Sequence, residues 1–232
     1  MDPEVRGQPP DVIDDDWFSL HLGPDATGVP TGDGATAKEA TRRAAAAMVR
    51  AAGGPRDSVA LSTIPGSPLE WRWNNPPGLD LRARVAEFDV VVLTERVALS
   101  NTVPYHHSAD YARRFAELGW AVGAEVLLYA SWVGLDTGPE FAGQGSDPDA
   151  GLPWRDRLDR EREAWEAIRT QVNANRPAGA APMRMIPMGA VMAELYDQIE
   201  AGRAPLTDIR SLFADDIHPS PLGAWITALA HF

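Results

Sequence analysis

The chain has 232 residues, no cysteine and a formal net charge of −12. That length suits one domain with a full hydrophobic core. The charge argues against nucleic acid or an anionic membrane surface as the main partner, and the missing thiols exclude disulfides, thiol nucleophiles and cysteine metal sites.

Residues 1–11 are rich in Pro, Gly and charge and read as a loose segment ahead of a single domain over 12–232. Met1-Asp2-Pro3-Glu4 lacks the basic and apolar regions of a secretion signal, so a cytoplasmic location is the default expectation. A mature exported form stays open. No stretch is long and apolar enough to span a bilayer. Val12-Ile13 leads into Asp14-Asp15-Asp16-Trp17-Phe18-Ser19-Leu20, followed by a Gly/Pro/Thr-rich loop to about residue 35. Thr36-x-x-Glu39 is a capping box opening an Ala-rich helix that stops at Gly53-Gly54-Pro55. Val59 to Ile64 reads as a strand ending in Pro65-Gly66-Ser67. Asp89 to Thr94 is the clearest strand, a β-branched run of the kind expected when both faces are covered. Ser108 is placed to cap a helix carrying Tyr111, Phe115 and Leu118, and Glu125 to Ser131 reads as another strand. Residues 133–153 read as a long loop, Trp154 to about Asn175 as an amphipathic helix, and Met183 to Ile186 as a strand. Helices over Ala190 to Ala201 and Pro221 to Leu229 complete the chain.

Strands alternating with helices predict an α/β domain, a three-layer α/β/α sandwich around a central parallel sheet. Sites in such domains lie beyond the carboxyl ends of the strands. Ser19, Gly66, Thr94, Glu95, Trp132 and the Asp215/His218 pair all fall in segments that follow strands.

The tail reads Leu212-Phe213-Ala214-Asp215-Asp216-Ile217-His218-Pro219-Ser220-Pro221-Leu222-Gly223. An Asp three residues before a His can hold the imidazole by Nδ1 and leave Nε2 as a base, two parts of a nucleophilic triad. The i, i+3 spacing favours Asp215 over Asp216 as the orienting group. Asp-Asp-x-His-Pro-x-x-x-Gly before an apolar helix resembles the last block of the SGNH (GDSL-like) hydrolases. Asp89-Val90-Val91-Val92-Leu93-Thr94-Glu95 resembles the family's third strand and its loop, and Met185-Ile186-Pro187-Met188-Gly189 its last strand. Phe18-Ser19-Leu20-x-x-Gly23-x-Asp25 resembles its first block, with Trp17 and Phe18 where the family has Gly and a polar residue.

The resemblance implies the flavodoxin-like SGNH hydrolase fold and a serine-dependent esterase without a cofactor. It implies Ser19 as nucleophile, His218 as base and Asp215 as orienter; Ser67 and Ser131 are alternative hydroxyls. Oxyanion donors would be the amides of Ser19 and Gly66, with Asn101 in place of the Asn that the family carries nearer its third strand. Glu95 would bind a substrate hydroxyl or pair with Arg96 or another cation. Trp71 and Trp73 are placed to stack on a sugar ring or acyl chain, with Asn74 or Asn75 on hydroxyls, unless they pack beneath a loop. The expected substrate is a small-molecule or carbohydrate ester. An O-acyltransferase with the same triad, or a non-catalytic carbohydrate-binding or scaffold protein, are the alternatives. His106-His107 lacks a third ligand at metal spacing and would point apart on a strand. Arg155-Asp156-Arg157…Glu161-Arg162-Glu163 reads as a solvated helix face. Gly28, Gly32 and Gly34 are not followed by the Lys-Ser/Thr of a phosphate loop.

Overall fold

The structure, a computed structural model, describes residues 62, 64, 66–76 and 78–230. The expected elements at Val12-Ile13 and residues 36–53, most of the strand over 59–64, and Ser19 itself lie outside the described residues. Within them the domain is mixed α/β. Helix α1 spans Leu69–Asn74 and α2 Leu81–Arg84; strand β1 follows at Val90–Leu93. Helices α3 (Val103–His106) and α4 (Ser108–Val122) lead to β2 at Glu125–Tyr129. Helix α5 (Trp154–Ala174) precedes β3 (Arg184–Ile186), and α6 (Met188–Glu200) and α7 (Pro221–Leu229) complete the order. The three strands are parallel, in the order β1-β2-β3, with Val91 opposite Val126 and Tyr129 opposite Ile186.

The strands form where β-branched and aliphatic residues run together, and their alternation separates two hydrophobic clusters. Val91, Leu93, Val126 and Leu128 pack with Phe115 and Trp120 of α4 and Trp165, Ile168 and Val172 of α5. Tyr129 and Ile186 join Met188 and Met192 of α6, Trp132, Trp154 and Phe213. The β1 run differs from the expectation that both its faces are covered. Val91 and Leu93 are buried, but Val90 and Val92 are 45% and 43% exposed.

The long helices carry their apolar residues at helical spacing. In α4, Ala112, Phe115, Ala116, Gly119 and Trp120 are buried, an i, i+3, i+4 stripe facing the sheet. Gly123, at φ 79°, ends this helix and bonds back to the carbonyls of Gly119 and Trp120. Ser108 does not cap α4: it lies inside the helix, and His107, in the left-handed region at φ 47°, occupies the cap position. His106 and His107 therefore stand at a helix junction rather than on a strand.

The solvated-face reading of α5 fails for two of its charges. Arg157 and Glu161 are both buried, in phase with Leu158 and Trp165 on the inward stripe. Neighbouring Arg155 behaves as expected, pairing with Asp159 one turn on and with Asp197 of α6.

The start of α7 is fixed by three local features. Ser220 accepts the Gly223 amide as N-cap, Pro221 occupies the first turn, and the Ser220 amide bonds the Leu212 carbonyl. Gly223 sits so close to the preceding 3₁₀ turn (Ile209–Leu212) that an added Cβ would lie 2.0 Å from the Leu212 carbonyl oxygen. That oxygen is backbone, so a side chain can be admitted only by moving the helix. Gly223→Ala is expected to lower the unfolding free energy in urea by about 1–3 kcal/mol, the usual scale of overpacking. An unchanged midpoint would show that α7 shifts without cost.

Candidate functional site

Residues 213–219 form a pinched loop. Phe213 and Pro219 make an isolated antiparallel bridge, and the Ala214 amide donates to the His218 carbonyl at 2.8 Å. Asp215, Asp216, Ile217 and His218 stand between those two contacts. The Asp215 carboxylate organises them. Its Oδ1 accepts the amides of Ile217 at 2.8 Å and His218 at 2.7 Å, while its Oδ2 lies 2.7 Å from His218 Nδ1. Partial burial raises the Asp215 carboxyl, but those amides and the imidazole outweigh it and hold the group below its ordinary value. An ionised carboxylate only accepts, so the proton in this contact sits on Nδ1. Nε2 is then the basic nitrogen, and it has no protein partner among the described residues. Asp216 is turned outward and pairs with Arg210 at 3.3 Å.

This loop is tied to the carboxyl end of β2. The Trp132 indole, fully buried, donates Nε1–H to the Ile217 carbonyl at 2.8 Å, and the Leu135 amide donates to the Asp216 carbonyl at 2.6 Å. Phe213 packs edge-on against both Trp132 and Trp154, with ring centroids 6.0 and 5.9 Å apart. The end of β1 is tied to the same strand, because Thr94 Oγ1 donates to the Tyr129 carbonyl at 3.2 Å. Val97 and Ala98, which follow β1, pack against the cluster containing Trp132 and Phe213. The structure thus brings the segments after β1 and β2 and the Asp215/His218 loop to one end of the sheet. A surface hollow lined by Trp120, Glu125 and Pro177 lies at the other end, where β2 begins.

Glu95 is buried. Its Oε1 accepts the Leu69 amide at 2.9 Å and the Arg96 amide at 2.7 Å, so it fastens the start of α1 to the end of β1. Burial raises this carboxyl, against the opposing pull of the two amides and of Arg72. The Arg96 guanidinium turns elsewhere, to Thr102 Oγ1 at 3.1 Å. Gly66, at φ 57° and exposed, precedes α1 by three residues. Asn101 accepts Ser146 Oγ on its Oδ1 at 3.2 Å, leaving its amide nitrogen without a protein partner among the described residues. Trp73 packs on Phe115 at 5.0 Å, with Arg82 and Arg114 both over its ring, whereas Trp71 on the same short helix is half exposed. Of the alternative hydroxyls, Ser67 donates to the Ile64 carbonyl at 2.6 Å and Ser131 is buried.

A charged network missed in the sequence holds the loop after β1. Both oxygens of Glu161 accept the Leu99 amide, at 3.0 and 2.9 Å. Arg157 pairs with Asp147, whose other oxygen accepts Ser100 Oγ at 2.7 Å, and approaches Glu161 at 3.9 Å. Burial raises Asp147, but bonds from Ser100 and Arg157 hold it below its ordinary value. One guanidinium thus serves two carboxylates. Burial, with Asp147 adding to it, pushes Glu161 up to about 7. The available signal was phase, since Glu161 falls three residues after Leu158 and four before Trp165.

Among the described residues no group of three or more His, Asp or Glu is placed to hold a metal ion, and no helix is long and apolar enough to cross a membrane. No family model matches the chain, and no curated protein or solved structure matches it significantly.

Two outcomes test this geometry. Trp132→Phe keeps the ring body but removes the indole N–H, at a cost of about 0.5–1.5 kcal/mol. The amides of Ile217 and His218 should then exchange with solvent faster than in the parent, and unchanged protection would show that the loop holds itself. Glu161 titrates from an ordinary value of 4.5 in the unfolded chain to about 7 in the fold. The native state therefore binds the extra proton between those values, and stability falls as pH rises through that window. Glu161→Gln is expected to remove this component, a few kcal/mol in size, as read by urea unfolding at pH 5 and pH 8.

Proposed function

We propose that the chain is a serine-dependent ester hydrolase of the SGNH type, built as a three-layer α/β/α domain and acting on O-acylated small molecules or carbohydrates. The observation that carries this reading is the Asp215–His218 pair, with Nδ1 held by an ionised carboxylate and Nε2 without a protein partner among the described residues. An imidazole fixed in that tautomer is the base that a serine hydroxyl needs. Its position at the carboxyl end of β2 agrees with where parallel α/β domains place their sites.

On this reading Ser19 Oγ attacks the ester carbonyl carbon, and its proton passes to His218 Nε2. The developing oxyanion is taken by the amides of Ser19 and Gly66 and by the Asn101 side-chain N–H. Each such donor is worth roughly 10²–10³ in rate. Collapse expels the alcohol, which leaves with the proton from the imidazolium. Water then enters, gives a proton to His218 and attacks the acyl-serine, releasing the acid and the free hydroxyl. Glu95 serves this reaction as a strut. Its grip on the Leu69 amide steadies the segment that carries Gly66.

The test is turnover of p-nitrophenyl acetate together with covalent labelling by a fluorophosphonate. Ser19→Ala should abolish both turnover and labelling. His218→Ala should lower kcat by at least 10³, and Asp215→Asn by roughly 10²–10⁴. Labelling of any hydroxyl other than Ser19, or turnover that survives His218→Ala, would overturn the assignment.

A further inference from the structure

Residues 139–149 leave the body of the domain as an excursion closed at its base. The Gly138 amide donates to the Ala150 carbonyl at 2.8 Å, and the buried Thr137 hydroxyl donates to the same oxygen at 2.8 Å. Surface loops whose ends meet in this way are frequently functional. Between those ends no residue is buried, and none joins either hydrophobic cluster. Polar contacts fasten the far end instead. Ser146 Oγ donates to Asn101 Oδ1 at 3.2 Å, Ser100 Oγ donates to Asp147 Oδ1 at 2.7 Å, and Arg157 pairs with Asp147 Oδ2. A fourth contact, between Asp149 and exposed Arg160, is long at 3.9 Å.

Arg157 is the hub of this fastening, and its donors are not all used. Nη1 donates to Thr137 Oγ1 at 3.3 Å, and Nη2 donates to Ser100 Oγ at 3.3 Å as well as to Asp147. Its Nε–H is buried without a partner among the described residues. The same Nη2 stands 3.9 Å from Glu161 Oε1, one helical turn along α5.

We propose that residues 139–149 are a strap across the loop after β1, and that Arg157 releases it by turning from Asp147 to an ionised Glu161. With Glu161 neutral, the guanidinium faces one anion, Asp147, and the strap is held. Loss of the Glu161 proton sets a second anion against the same guanidinium and adds repulsion between Glu161 and Asp147. An enclosed charge is screened less than one partly open to water, so Glu161 becomes the stronger competitor. The unused Nε–H gives the guanidinium a further donor for that contact. The strap yields rather than the helix, because it has no share in the hydrophobic clusters to lose.

The charged groups facing Glu161 are Arg157 of its own helix and Asp147 of the strap; the loop after β1 presents the amides of Leu99 and Ser100. Burial, with Asp147 adding to it, places the loss of the Glu161 proton at about 7. The strap is therefore held below that value and freed above it. None of this rests on the esterase reading. It adds one consequence there: release takes the Ser146 bond away from Asn101, the proposed oxyanion donor.

The experiment is amide hydrogen exchange of the full chain at pH 6 and pH 8, each rate corrected for its intrinsic dependence on pH. The probes are the amides of Phe141, Gln144 and Asp149, all bonded inside the closed loop. Those of Val126 and Leu128 in β2 report global opening. The probes should exchange at least about fivefold faster at pH 8 than at pH 6, with β2 unchanged. Glu161→Gln should remove that difference and keep the strap protected at both values, whereas Asp147→Asn should leave it open at both. Thermal melting of each variant reports its fold, and the unmodified chain tests the toggle with no substitution at all. Equal corrected rates at the two pH values, a difference that survives Glu161→Gln, or strap and β2 amides that open together would overturn the proposal. Exchange is read without substrate, so the strap and the esterase reading stand or fall separately.

Discussion

The candidate site depends on carboxylates that accept backbone amides. Three segments meet at the carboxyl end of the sheet, and each is fastened this way. Glu95 takes the amides of Leu69 and Arg96, Glu161 that of Leu99, and Asp215 those of Ile217 and His218. Where the acceptor is held ionised, as at Asp215, the hydrogen bond is stronger than a neutral pair. It also satisfies donors that irregular chain would otherwise leave unpaired. The fastened amides are spoken for, so they are not open to donate to a ligand.

At two of these fasteners desolvation outweighs the bonds they accept, and the fold bears it differently at each. Glu95 keeps Arg72 within electrostatic reach, which offsets part of its burial. Glu161 shares Arg157 with Asp147, and the sharing leaves it short of positive charge. The consequence is local: Asp147, partly open to water and bonded to Ser100, keeps its charge, while the fully enclosed Glu161 takes the proton near neutrality. Replacing such a network with apolar residues can be neutral for stability, so its value here lies in fixing the course of the loop after β1.

The parts of this arrangement legible in the sequence are those set by short-range periodicity. The β-branched run at 90–93, the helices from Trp154 and Pro221, and the i, i+3 relation of Asp215 to His218 can be read directly. The short helices α1 and α3 have too few residues to show a period, and they carry Trp71 and His106. The burial of Arg157 and Glu161 is hidden by residue type, although their phase on α5 reveals it. The role of Trp132 cannot be read at all, because its partner, the Ile217 carbonyl, is 85 positions away. That distance is closed by tertiary contacts, the packing of Phe213 against Trp132 and Trp154 and the bond from the Leu135 amide to the Asp216 carbonyl.

The three fasteners differ in one respect that bears on function. Glu95 and Glu161 are enclosed, whereas the side chains of Asp215 and His218 remain 55% and 40% exposed. A strut gains from enclosure, because a dry contact holds its geometry. A proton carrier, the role proposed for His218, has the opposite need: its nitrogen must reach both a hydroxyl and water within one cycle. Asp215 serves both ends. Its Oδ1 fixes the backbone of the loop, and its Oδ2 fixes the ring at the solvent boundary. Because one carboxylate does both, ring and loop lose their restraint together when it is protonated. Its lowered value keeps it ionised above the ordinary 3.8, so this contribution to stability is complete there and is lost as pH falls through the lower folded value. The pair therefore stays assembled throughout the range in which a neutral imidazole can act as a base.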